Sequence, residues 1–265
     1  MIAACLAAVL SPLFLRVNPE LRSTYQSLGK IVEDRPMQIT GTRFGLDTGA
    51  LREGIDFGRV GFRNWNVSSL SDRRADAHRH ALYHVEYGLA WEYDWRFAEA
   101  WTLKSDLARC WTVYRGFDSP DGNRTYGWWQ IDQSLANPWI VPFYRLRRCV
   151  HGSDYLYFKA GLTRSFPLFE SFYFAPSVFV EGGNARNTRR VFGSNVNGGG
   201  WHGGVTALSL RLECGWKLSE DVTAFAYVEQ YETVGHDVRE SNSALAYRCA
   251  HNDWTHGGLG LRLRF

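Results

Sequence analysis

Charged side chains fall on alternate positions along several stretches of this 265-residue chain. His84, Glu86, Glu92 and Asp94 share one parity, and His80 precedes them in phase. Lys104 with Asp106, Asp132, Lys159, Glu181, Arg211 with Glu213 and Lys217, Glu229, and Arg262 with Arg264 repeat the pattern in later stretches. Alternation places such residues on one face of an extended strand. Both signs occur, so two chemistries follow. Acids and bases can pair across an enclosed space and brace its walls. Alternatively, opposed rows of them can border a narrow path that passes small polar solutes by charge and size.

Three other groups are candidates for chemistry. Arg145, Arg147 and Arg148 form the densest basic run; the guanidinium fork matches phosphate and carboxylate, so the run is expected to meet anions at a rim. His78, His80 and His84 lie in phase with Glu86, close enough along one strand face to share a metal. No matching ligand set lies elsewhere, and the expectation is no metal and no cofactor. Gly235 to Asn242 holds His236, Asp237 and Ser241, the residue types of nucleophilic catalysis, with His and Ser five positions apart. Connecting segments are rich in these same types, and no catalytic residue is assigned.

The clearest element carrying these residues runs from Ala81 to Trp95. Val85, Tyr87, Leu89, Trp91, Tyr93 and Trp95 alternate there with His84, Glu86, Gly88, Ala90, Glu92 and Asp94. Period two over this length is a strand. The pattern recurs at 156–163, 172–181, 207–217 and 258–265, with charge almost confined to one parity. A strand face that excludes charge over about 9–11 residues suits lipid. Further strands are expected near Gln38–Thr48, Ile55–Val67 and Trp139–Cys149, the last entered by a turn at Ala136-Asn137-Pro138. Arg109 breaks the parity of Trp101, Leu103, Leu107, Trp111 and Val113, which predicts a bulge in that strand.

Joints at 96–99, 166–171 and 218–221 are short, whereas 115–124, 182–203 and 234–252 are long and polar. Such alternation suits a transmembrane barrel. One more strand must precede Gln38, and it is expected within Thr24–Val32. The expected fold is all-β: a transmembrane antiparallel up-and-down barrel of about twelve strands, one domain over 21–265.

Aromatic residues make up 15% of the chain, and their rings suit a boundary that is apolar on one side and wet on the other. A dispersed net charge of +3 argues against nucleic-acid binding. The apolar run Ile2–Leu15 is shorter than the roughly 20 residues of a transmembrane helix and fits the core of a secretory signal. Residues 1–20 are therefore read as an export segment. Cys110, Cys149, Cys214 and Cys249 are spaced widely, without a CxxC. They are read as disulfide partners or as small apolar wall residues.

The ending Gly258-Leu259-Gly260-Leu261-Arg262-Leu263-Arg264-Phe265 resembles the C-terminal assembly signal of Gram-negative outer-membrane β-barrel proteins. Leu259, Leu261, Leu263 and Phe265 carry that likeness, and the chain's size resembles the OmpV/MipA-like group. The resemblance implies integral placement in the bacterial outer membrane, with lipid, lipopolysaccharide and the barrel-assembly machinery as partners. Arg145, Arg147 and Arg148 would then meet lipopolysaccharide phosphates. The expected function is a narrow channel or passive transporter for small polar solutes, or a structural barrel. The alternatives are an outer-membrane enzyme acting on lipid or peptide, and a surface scaffold or adhesin acting through external loops. The sequence assigns no solute and no oligomeric state.

Overall fold

The computed structural model describes residues 12–27, 30–33, 36–51, 56–70, 83–115, 125–243 and 252–265. Twelve strands form one closed antiparallel sheet. In chain order they are β1 (Leu13–Arg22), β2 (Met37–Asp47), β3 (Arg59–Ser69), β4 (Tyr83–Ala98), β5 (Trp101–Arg115) and β6 (Thr125–Ala136), then β7 (Val141–His151), β8 (Leu156–Thr163), β9 (Phe172–Gly183), β10 (Gly204–Lys217), β11 (Val222–Thr233) and β12 (Asp253–Arg264). Each strand pairs with the next, and β1 pairs with β12. Closure matters because an open edge in lipid leaves backbone donors and acceptors without partners. The start of β1, the end of β12 and the turns at 99–100, 137–140 and 218–221 lie at one end. Short turns face the periplasm in outer-membrane barrels, so that end is called periplasmic and the other external.

Parity sets the two faces. On β4, Tyr87, Leu89 and Trp95 point outward and are exposed, while His84, Glu86, Ala90 and Glu92 point inward and are buried. At the periplasmic rim the outer face carries aromatic pairs: Trp101 meets Trp139 at 5.7 Å between ring centroids, and Phe172 stacks on Trp216 at 5.2 Å. The turn between β6 and β7 is closed by Asn137, whose Oδ1 accepts the backbone N–H of Trp139 at 2.9 Å and of Ile140 at 3.1 Å. The glycines of the C-terminal strand have a packing role. Gly258 and Gly260 face Tyr227 and Phe225 of β11. A Cβ at either would stand 2.7 Å from Tyr227 Cε1 or 2.9 Å from Phe225 Cζ. The bare positions leave room for the rings.

The structure corrects three expectations. The first strand is Leu13–Arg22 rather than a segment within Thr24–Val32. Leu13, Leu15 and Leu21 supply its exposed outer face, and Arg16, Glu20 and Arg22 its inner one. The tail of the apolar run is thus barrel wall, and the barrel begins before residue 21. Tyr25–Ser27 and Lys30–Glu33 pair instead as a small hairpin in the external connection. Residues 1–11 of the expected export segment lie outside the described residues. Finally, no bulge accompanies Arg109: β5 and β6 stay in register from Thr102 opposite Ala136 to Val113 opposite Thr125.

Above the charged lining, the external third of the interior is packed. Met37, Ile39 and Val67 form one cluster with Trp65, and Tyr126, Trp128, Tyr155 and Tyr157 form another with Cys110 and Cys149. Among the described residues, two helices stand in the external connections, α1 (Ala185–Phe192) and α2 (His236–Ser243). Asn184 caps α1 by accepting the Asn187 N–H at 3.0 Å. Val191, Phe192 and Val238 bury one another with Trp201 alongside.

Candidate functional site

Below that packed third the lumen holds two chambers. The periplasmic one, of about 630 Å³, is lined by Arg16, Arg59, Lys104, Arg145, Lys159 and Arg264 against Glu92, Asp94, Asp106 and Asp132, six bases to four acids. The upper one, of about 250 Å³, is lined by Arg22, Arg63, Arg145, Arg147, Lys159 and Arg211 against Glu86, Glu181 and Glu229, six bases to three acids, with His84 and His256. Arg145 and Lys159 border both and mark the neck between them.

One wall carries an arginine row. Strand register sets Arg264 opposite Arg16, Arg16 opposite Arg43, and Arg43 opposite Arg63. Like charges directly opposite each other repel, so the row needs counter-charge. Glu92 accepts Arg16 at 2.8 Å and Arg59 at 3.5 Å, and it also pairs with Arg43. Asp106 holds Arg43 at 2.6 Å, and Glu86 holds Arg63 at 3.0 Å and Arg147 at 3.7 Å. Among the described residues, Arg264 and Lys104 make no ion pair although both border the lower chamber.

The remaining wall is more evenly matched. Lys159 pairs with Glu181 at 3.1 Å and Arg145 with Asp132 at 2.7 Å. Glu213 takes both Arg211 and Arg262 at 2.7 Å, and the Tyr173 hydroxyl donates to it at 3.0 Å. Of the expected lumen residues, His84, Glu86, Glu92, Lys159, Arg211, Glu213, Arg262 and Arg264 all face inward, and Lys217 sits exposed at the periplasmic rim. His78, His80 and Cys249 lie outside the described residues. Cys110 and Cys149 are buried free thiols, and Cys214 is free on the outer face.

One expected group is divided. Arg145 and Arg147 share the inner parity of β7 and belong to the lumen; only Arg148 faces outward, with its side chain 67% accessible. Alternation cannot keep three neighbouring residues on one rim. The sequence reading missed Arg16, Arg22, Arg43, Arg59 and Arg63, the basic contribution of β1 to β3. The signal that finds them is parity within each strand: Arg16 and Arg22 are in phase with Glu20, Arg43 with Ile39, and Arg59 and Arg63 with Val67, all three reference residues being buried inside the barrel.

The external connections use their reactive residue types to tie the helices together. Ser241 Oγ accepts the Val196 N–H at 3.2 Å, while His236 turns to Glu240 at 3.3 Å. The two are not brought together. Asp237 accepts Asn197 at 2.8 Å and Asn195 at 3.2 Å, and these bonds hold its carboxyl below the usual range. The Arg239 guanidinium, bonded to Asp253 at 3.1 Å, is held above its ordinary value. From α1, Arg190 reaches the mouth of the barrel and lies 3.7 Å from the centroid of Tyr126 and 4.7 Å from that of Tyr155.

No family model and no curated protein matches the chain. Among solved structures, the KdgM porin in complex with disordered oligogalacturonate aligns with 95% of this chain and 99% of its own, at 7% identity and a TM-score of 0.50. LpxR from Salmonella typhimurium aligns with 94% and 99%, at 9% identity and a TM-score of 0.50. Outer membrane phospholipase A from Escherichia coli aligns with 94% and 89%, at 15% identity and a TM-score of 0.44. At such identities the likeness is one of fold. The chain has the fold of integral outer-membrane β-barrels, porins among them.

Proposed function

We propose that this barrel passes small acidic solutes through its lumen. The observation that carries the reading is the basic excess of both chambers, six to four and six to three, organised by the Arg264–Arg16–Arg43–Arg63 row. A cleft of one net sign between low-dielectric walls concentrates ions of the other sign. Arg264 and Lys104 lack a protein counter-ion among the described residues and so remain free to meet a solute carboxylate or phosphate. The KdgM porin was solved with oligogalacturonate; the sign of that ligand agrees with the proposal, which rests on the arginine row. Phe265 belongs to the same reading as the assembly signal, supported by its place at the closing seam.

The test is the reversal potential of purified protein in a planar bilayer under a KCl gradient. Chloride preference is expected, and it should weaken in the pair Lys104→Gln, Arg264→Gln. Preference for potassium in the parent protein would refute the proposal. The packed external third and the docking of α1 favour a second reading, a closed structural barrel. A correctly folded protein that stays silent in the bilayer would select that one.

A further inference from the structure

We infer that the outer wall of β5 to β7 binds a phosphorylated glycolipid of the external leaflet, lipopolysaccharide, through Arg109 and Arg148. Arg109 lies opposite Trp129 on β6, and Trp129 lies opposite Arg148 on β7, so the three form one rung of the outward face. Trp129 is 49% exposed there. The Arg109 guanidinium sits 4.6 Å from the centroid of Trp111 and 5.6 Å from that of Trp129. Its resting place is Gly127, where a Cβ would stand 3.0 Å from Nη2 and 3.1 Å from Nη1. Gly127 lies nearer the external end of β6 than Trp129. The side chain therefore lies along the wall towards the external surface, as a long base at a lipid boundary does.

The surroundings leave the rung positive. Arg109 donates to the Cys110 carbonyl at 3.3 Å and meets no carboxylate among the described residues. Arg148 stands 3.7 Å from Asp154, which Arg186 also engages. Two guanidiniums thus share one carboxylate, and the third, that of Arg109, has none among the described residues. The rung immediately towards the periplasm is Trp91, Leu107, Ile131, Leu146 and Phe158, entirely apolar. On the far side of the barrel, the outward pair at a comparable distance from the periplasmic rim is Gln230 with Thr255, which is neutral.

Unbalanced charge at the top of an apolar wall calls for an amphiphile: an anionic head for the guanidiniums and acyl chains for the wall below. Guanidinium binds phosphate through paired hydrogen bonds. Arg109 and Arg148 stand two strand spacings apart, roughly 10 Å, so a head carrying two phosphates can use both. A free phosphate would satisfy the bases and leave the wall unused.

Native mass spectrometry of the whole detergent-solubilised barrel tests this, with diphosphoryl lipid A, its dephosphorylated form and inorganic phosphate as probes. Bonds between charged groups are worth about tenfold or more in binding. The diphosphoryl lipid is expected to bind at least that much tighter than the dephosphorylated one. The lead should vanish in the pair Arg109→Gln, Arg148→Gln and persist in Arg164→Gln, at the periplasmic rim. Gly127→Leu, which fills the slot and keeps both charges, should weaken it too. Equal binding of the two lipids by the parent protein would overturn the inference without any variant. So would full binding by the double variant, or inorganic phosphate matching the lipid.

Discussion

Arg16 on β1 reaches past two strands to place its Nη1 2.8 Å from Glu92 Oε2 on β4. Arg43 and Arg59 converge on the same carboxylate from β2 and β3. One acid therefore draws together bases from three strands.

Glu92→Gln should separate the structural and electrostatic roles of that acid. Losing a charge-assisted network costs about 1–3 kcal/mol where water can partly solvate the orphaned bases, less than in a dry interior. Denaturant unfolding is expected to show a loss of that order. The same change removes one negative charge from the lower chamber, so the reversal potential should move further towards chloride. A shift towards potassium would contradict the proposed pathway.

Asp237 makes the docking of the external connections sensitive to acid. Its carboxyl is lowered by bonds from Asn197 and Asn195, so docking favours the ionised form. The tie is fully present above the ordinary aspartate value near 3.9 and is lost as pH falls through the lowered one. Amide exchange at 194–198, corrected for intrinsic rate, should be unchanged from pH 7 to about 4 and faster below that range. Asp237→Asn should exchange fast throughout; protection equal to the parent at neutral pH would show that the tie is unimportant.

Gly260→Val tests whether the C-terminal glycines are spaces for rings. A Cβ there meets Phe225 Cζ at 2.9 Å and the Pro19 carbonyl oxygen at 2.5 Å. The backbone contact cannot swing away, so the variant should lose about 1–3 kcal/mol, the usual range for overpacking. Gly260→Val combined with Phe225→Ala should recover only the part due to the ring. Full stability of the single variant in denaturant would mean the seam relaxes freely.

Phe265 should matter more before closure than after it. Its ring is 66% exposed, and its backbone exchanges two hydrogen bonds of 2.8 Å with Leu15. Such bonds are worth about 0.5–1.5 kcal/mol each, so deletion should only modestly lower the unfolding midpoint of refolded protein. Insertion in cells should fall much further if the residue is read as a signal. Equal surface levels of deletion and parent would end that reading.

The fold was most legible where lipid faces were continuous. On β4 and β10 every charge sits on one parity, and strand, face and lumen residues all follow. β2 is less clear because its outward positions include Gln38, Thr40 and Thr42, while Met37 and Ile39 are fully buried inside. Apolar packing of the external third inverts the usual pattern there, which hid Arg43 and, on β3, Arg63. Arg16 was hidden differently: an apolar run ending at Leu15 reads as an export segment, although its last residues alternate with barrel charges. The division of Arg145 and Arg147 from Arg148 needed the wall itself. Arg109 needed its surroundings, since no spacing rule reveals that Gly127 leaves a slot for it.

The Arg16–Glu92 contact also gauges circumference. Along the sheet, β1 and β4 lie three spacings apart, about 14 Å, farther than an arginine side chain extends. The curvature of the wall brings the two within reach. Adding strands would flatten that wall and carry the carboxylate away from the guanidinium, stranding a base in the lumen. The ion pair is thus compatible with only a narrow range of strand number, and the bore of the pathway and its charge cannot be changed independently.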